Sequence, residues 1–142
     1  MDRILEAAKA VVSARLSANA LCPLPASVRP QDVAEGYQVQ NAVHEMLAET
    51  EWWRVVGYKI GCTTSVMQQY LKIAHPCAGG LFFGRIHQGR ANVNHGGYFR
   101  PGIECEIAVR LGRDLSPADA PFTADKVAEA VESYMPAIRG GG

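Results

Sequence analysis

Glu104 and Glu106 stand two residues apart in Gly102-Ile-Glu-Cys-Glu-Ile-Ala-Val-Arg-Leu111, where apolar and polar residues alternate. Side chains of a strand alternate between its faces. Ile103, Cys105, Ile107, Val109 and Leu111 therefore share one face, and Glu104, Glu106, Ala108 and Arg110 share the other. The two carboxylates fall roughly 7 Å apart on that face and repel unless something positive lies between them. A divalent cation that prefers oxygen ligands, Mg²⁺ or Mn²⁺, is one solution. A solvated face on which the glutamates pair with Arg110 or with a neighbouring strand is the other.

Lys59 is the second group with chemical potential. It sits in Val56-Gly-Tyr-Lys-Ile-Gly-Cys-Thr-Thr64, inside an apolar strand pattern. In a cleft, desolvation lowers a lysine's pKa and makes it a usable acid or base, or the ammonium holds an anionic substrate. On an edge strand it is merely a solvated cation. The Gly-Cys-Thr-Thr-Ser run that follows leads into a helix start, whose N–H groups can receive a carboxylate. The histidines at 44, 75, 87 and 95 show no HxxxH or HxH spacing. His44 lies beside an apolar helical stripe, and His75 precedes Pro76 in a loop. Cys77 has no neighbour in sequence that would activate a thiol. There is no GxSxG elbow, P-loop or GxGxxG.

The elements that must position these groups follow from periodicity. From Arg3 to Leu16 the apolar residues Ile4, Leu5, Ala8, Val11, Val12 and Leu16 have helical spacing. Prolines 23, 25 and 30 interrupt the pattern. A second helix is expected from Pro30 in its first turn, with Asp32 near its positive end, to about Glu49. Its stripe is Val33, Tyr37, Val39, Ala42, Val43, Met46 and Leu47. Neither helix covers its own apolar face, so the two are expected to form one hairpin that packs on something else. Trp52–Ile60 reads as a strand closed by Gly61. Ser65 and Gln68 have capping-box spacing ahead of a short helix, Val66–Leu71. His75–Gly80 reads as a loop, Leu81–Phe83 as a brief strand, and residues 89–97 as a turn or loop. Ile103–Leu111 is the clearest strand. Thr123 caps a helix over Ala124–Val131, and Tyr134–Ile138 forms a last strand. Helices first and strands later suggest an α+β fold.

The chain has 142 residues, 14 Lys+Arg and 14 Asp+Glu, so its formal net charge is zero. That balance argues against a basic nucleic-acid groove. Hydrophobic residues at 48% and charged residues at 20% suit a packed domain rather than a disordered chain. No apolar run approaches a membrane span, and the N-terminus lacks a secretory h-region. Reduced cysteines in a cytoplasmic setting are therefore expected for Cys22, Cys62, Cys77 and Cys105, whose spacing matches no zinc module.

Taken in order, the motifs resemble those of the fumarylacetoacetate hydrolase superfamily, in its branch of 2-keto-4-pentenoate hydratases and 4-oxalocrotonate decarboxylases. Gly36-Tyr-Gln-Val-Gln40 resembles the family's helical Tyr-x-Val-Gln segment. Gly57-Tyr-Lys-Ile-Gly-Cys-Thr-Thr64 with Met67-Gln68, Gly80-Leu-Phe82, Pro101 to Leu115 and Met135-Pro-Ala-Ile138 follow in family order.

The resemblance implies an N-terminal helical region, residues 1–50, and the first part of a mixed β-roll, residues 51–142. It implies Glu104 and Glu106 as ligands of Mg²⁺ or Mn²⁺, Lys59 as the active-site lysine, and Thr63 and Thr64 as substrate-facing. The implied activity is metal-dependent hydration of 2-keto-4-pentenoate or a similar small 2-oxo acid in aromatic catabolism. Sister activities are decarboxylation and acylpyruvate C–C hydrolysis, the latter needing a histidine such as His75. A complete fold of this kind is expected to form homo-oligomers, with no nucleic acid or membrane partner. Arg139 stands where the family pattern expects a third acid, and Cys77 where many relatives carry one. Family members continue for about as long again, so the chain is expected to be a truncated form. The non-enzymatic alternative is an inactive fragment that associates with a full-length relative.

Overall fold

A computed structural model of the chain describes residues 2–17, 19–98 and 101–141. It is an α+β protein with two small antiparallel sheets among the described residues. The chain divides into two compact units, Met1–Val93 and Asn94–Gly142.

The first unit begins with α1 (Arg3–Leu16) and α2 (Val33–Leu47), each started by an aspartate. Asp2 accepts from the Ile4 N–H at 2.9 Å, and Asp32 accepts from the Glu35 N–H at 2.8 Å. Asp32 is thus the cap of α2, and Pro30 lies outside the helix rather than in its first turn. Ala7 and Ala8 are fully buried, which lets α2 approach α1 closely. The core they share is Val39, Ala42, Val43 and Leu47 from α2, together with Phe82 from the sheet. The hairpin packs through part of the two stripes: Ile4, Val11, Val12 and Met46 border this core, whereas Leu5, Leu16 and Val33, expected on the apolar faces, are exposed. Arg3 ties it shut, bonding Glu35 at 2.5 Å and the Arg29 carbonyl at 3.1 Å. Arg29 in turn reaches the Leu24 carbonyl.

After a 3₁₀ turn at Glu51–Trp53 come β1 (Val55–Gly61), α3 (Ser65–Leu71) and β2 (Cys77–Phe82). The strand starts three residues later than its aromatic content suggests, because Trp52 and Trp53 belong to the turn. The cap of α3 is Thr64, not Ser65, with its hydroxyl 3.3 Å from the Met67 N–H. Gln68 donates to the Cys62 carbonyl at 2.9 Å instead of closing a capping box. The segment Cys77–Gly80, expected to be a loop, is strand. It pairs antiparallel with β1, Lys59 opposite Gly79 and Tyr58 opposite Gly80. Its glycines are there for close approach: a Cβ on Gly80 would fall 2.9 Å from the His44 ring and 3.2 Å from Val55. Composition alone reads Gly-Gly as a turn, whereas here the glycines let side chains cross the strand.

The second unit contains β3 (Gly102–Leu111), α4 (Ala124–Ala128) and β4 (Val131–Gly141). The helix is shorter than expected, and the last strand longer. Thr123 caps α4 through the Lys126 N–H, as its position suggests. β3 and β4 pair antiparallel along their length, with an irregularity at Arg110–Leu111. The alternation of β3 holds, but its apolar face is the open one. Ile103 is 79% exposed, Ile107 78% and Ile138 of β4 76%, with Val109, Leu111 and Tyr134 also exposed.

Candidate functional site

Two clusters carry the chemistry-bearing residues, one in each unit. In the first, β1 presents Lys59 and β2 presents Gly79 directly opposite. A Cβ on Gly79 would meet the Lys59 side chain at 3.4 Å (Cε) and 3.8 Å (Cγ), and Gln40 Oε1 at 4.0 Å. The missing side chain of Gly79 thus leaves the space over which Lys59 lies, with the Gln40 amide from α2 at its rim. One helical turn earlier, the Tyr37 hydroxyl accepts from the Ala78 N–H at 3.0 Å and pins α2 to β2. Lys59, Thr63 and Thr64 are all exposed, and the Thr64 hydroxyl serves the helix cap.

Behind this cluster is the ring stack that fixes the sheet on the helices. His44 and Trp53 both meet Phe82 edge-on, with centroids 5.5 and 5.3 Å away. Arg15 lies 5.6 Å over Phe82, and Arg85 lies 5.3 Å over Trp53. Burial, and then the nearby Arg15 charge, hold the His44 imidazole below its ordinary pKa. His44 is thus a half-buried histidine at the edge of the core whose neutral form is favoured. His75 is half-buried, its Nδ1 lying 2.9 Å from the Pro76 carbonyl. All four cysteines are free thiols.

The second cluster lies on the polar face of β3–β4. Register sets Arg139 directly across from Glu104 and Ala137 across from Glu106. Cross-strand partners share a face, so the Arg139 guanidinium reaches both acids. Its Nη2 bonds Glu104 Oε2. Its Nε is shielded from solvent and lies 3.0 Å from Glu106 Oε1, off the line of a hydrogen bond. Of the three side chains Arg139 is the most covered, at 26% exposure.

The residues do not fit a divalent metal as they stand. The two carboxylates already share a cation, and no group of three or more His, Cys, Asp or Glu capable of holding a metal occurs among the described residues. A doubly charged ion about 4 Å from the guanidinium would meet a repulsion of roughly 8 kcal/mol at an effective dielectric of 20, before solvent screening. The geometry follows the expectation of pairing with a neighbouring strand, with Arg139 rather than Arg110 as the cation.

Sequence reasoning assigned no role to Gln40, Tyr37 or Gly79. The signal for Tyr37 and Gln40 was present in Gly36-Tyr-Gln-Val-Gln40, but helical periodicity placed Tyr37 in the core stripe, and Pro and Gly content made His75–Gly80 a loop.

No protein-family model matches the chain. Among curated proteins it is 33% identical over 137 residues to a 2-keto-4-pentenoate hydratase of Paraburkholderia xenovorans, covering 94% of this chain and 48% of that protein. It matches 2-keto-4-pentenoate hydratase 3 of Pseudomonas putida with the same identity and coverage. It is 32% identical over 135 residues to the TodF product hydratase of P. putida F1, covering 95% of this chain and 49% of the relative. The chain spans about half the length of the curated relatives it matches. No helix among the described residues is long and apolar enough to cross a membrane.

Proposed function

We propose that the chain is a hydratase-type protein of the fumarylacetoacetate hydrolase superfamily. Its substrate is 2-keto-4-pentenoate or a similar small 2-oxo acid from aromatic breakdown. The observation that carries this reading is the match to proteins named as such hydratases over nearly the whole chain. The geometry supports it: the Tyr37–Gln40 turn, the Lys59 strand and the Gly79 strand are distant in sequence and converge over one position. In this reading the two hairpins are pieces of a mixed β-roll, and the protein works in the cytoplasm as a homo-oligomer.

Lys59 is the group that moves a proton while water adds across the conjugated double bond, and its ammonium attracts the substrate carboxylate. Gly79 keeps the approach to Lys59 open. Gln40 offers an amide that can hydrogen-bond a substrate oxygen. Thr63 and Thr64 flank the exit of β1 and face the same substrate.

Complementation tests the reading. The chain is mixed with a full-length relative whose matching lysine is replaced, and loss of the absorbance of 2-hydroxypenta-2,4-dienoate is followed. Hydration is expected with the wild-type chain and should fall at least about 100-fold with Lys59→Met, the scale of a lost acid–base group. Absence of hydration with both chains sinks it. Release of CO₂ would identify a decarboxylase instead, and dependence on His75 a hydrolase.

The exposed apolar face of β3–β4 favours a second reading, a non-catalytic chain that associates with a full-length relative. Co-elution with that relative, without any hydration dependent on Lys59, would select it.

A further inference from the structure

We propose that Arg139 is a built-in counter-ion that closes the Glu104–Glu106 pair to divalent metals. Three observations support this. Register forces Arg139 onto the face of the two acids, directly opposite Glu104. The guanidinium engages both carboxylates at once, Nη2 on Glu104 and Nε 3.0 Å from Glu106. It is also the most covered member of the group, with Nε shielded from solvent, so the cation sits within the cluster rather than at its margin.

The chemistry explains why one cation excludes another. Two carboxylates at alternate positions of a strand are stabilised by positive charge between them. A guanidinium supplies it with several donors in a rigid fork, never loses its proton and needs no uptake from solution. A Mg²⁺ or Mn²⁺ ion would have to displace that fork and would gain only two carboxylate ligands. The pair is thus a latent cation site, closed by one side chain. The inference goes beyond the proposed activity and does not depend on it, because its readout is metal binding and not turnover.

The experiment uses the whole chain and Mn²⁺ as the probe, with the free-ion signal followed by electron paramagnetic resonance. The wild-type chain is expected to leave the signal unchanged at millimolar ion. Arg139→Gln is expected to bind one equivalent of Mn²⁺ at least tenfold more tightly than wild type, and adding Glu106→Gln to that variant should abolish the binding. Thermal unfolding supplies a second measurement. The wild-type midpoint is expected to be the same in Mn²⁺ and in chelator. One-equivalent binding to the wild-type chain that Glu104→Gln removes would overturn the proposal. So would a Mn²⁺-raised wild-type midpoint that disappears in Glu104→Gln, or a folded Arg139→Gln protein that gains no affinity.

Discussion

In the first unit the apolar side chains of α2 meet α1 and Phe82, whereas in the second those of β3 face solvent. Val43 is 5% exposed and Ile107 78%. Both residues were placed by clean periodicity, 3.6 in one segment and 2 in the other. Periodicity states which side chains share a face. Whether that face is covered depends on a second layer, and a helical hairpin brings its own while a two-stranded ribbon does not. The contrast extends to charge. The first unit holds a half-buried histidine whose pKa is lowered, while the second assembles three charged side chains on its better-covered face.

Phe82→Ala should break this comparison most strongly. Phe82 joins the sheet to the helices and meets His44 and Trp53, so its loss is expected to cost about 3–5 kcal/mol, read from the urea midpoint of the first unit. Matched substitutions then sharpen the contrast. Val43→Thr places a hydroxyl in the core and should cost about 1–3 kcal/mol. Ile107→Thr, at an exposed strand position tolerant of either β-branched residue, should stay within about 0.5 kcal/mol. Equal losses at the two sites would mean that the β3 face is covered in solution.

A smaller effect is expected at a helix start. Asp32→Ala removes the acceptor of the Glu35 N–H and should lower stability by about 1 kcal/mol, seen in the same urea titration. The smallest effect is a pH slope. His44 has a lowered pKa in the folded chain, so below about 6.5 the unfolded chain takes up a proton that the folded one resists. Stability is then full above that pH and declines as pH falls through and below it. His44→Gln should flatten the decline in melting temperature between pH 7 and 5.

Much of the framework was legible in the sequence. The bounds of α1, the buried part of the α2 stripe, the strand at β3 and the Thr123 cap all follow from rules that act within a few residues, although Val33 of that stripe is exposed. The errors were local as well. Pro30, Ser65 and the Gly79–Gly80 pair carry signals that a neighbouring residue or a crossing side chain overrode. The candidate site was legible as residue types, Lys59 and the Glu104–Glu106 pair, but not as surroundings. Gly79 lies opposite Lys59, and Gln40 reaches the space over Gly79, from 20 and 19 positions away from the lysine in the chain.

Spacing along one strand determined that Glu104 and Glu106 share a face, where a cation between them relieves their repulsion. Tertiary pairing decided which cation. The register of β4 against β3 sets Arg139 on that same face, and a register one residue off would have turned it to the other side of the sheet.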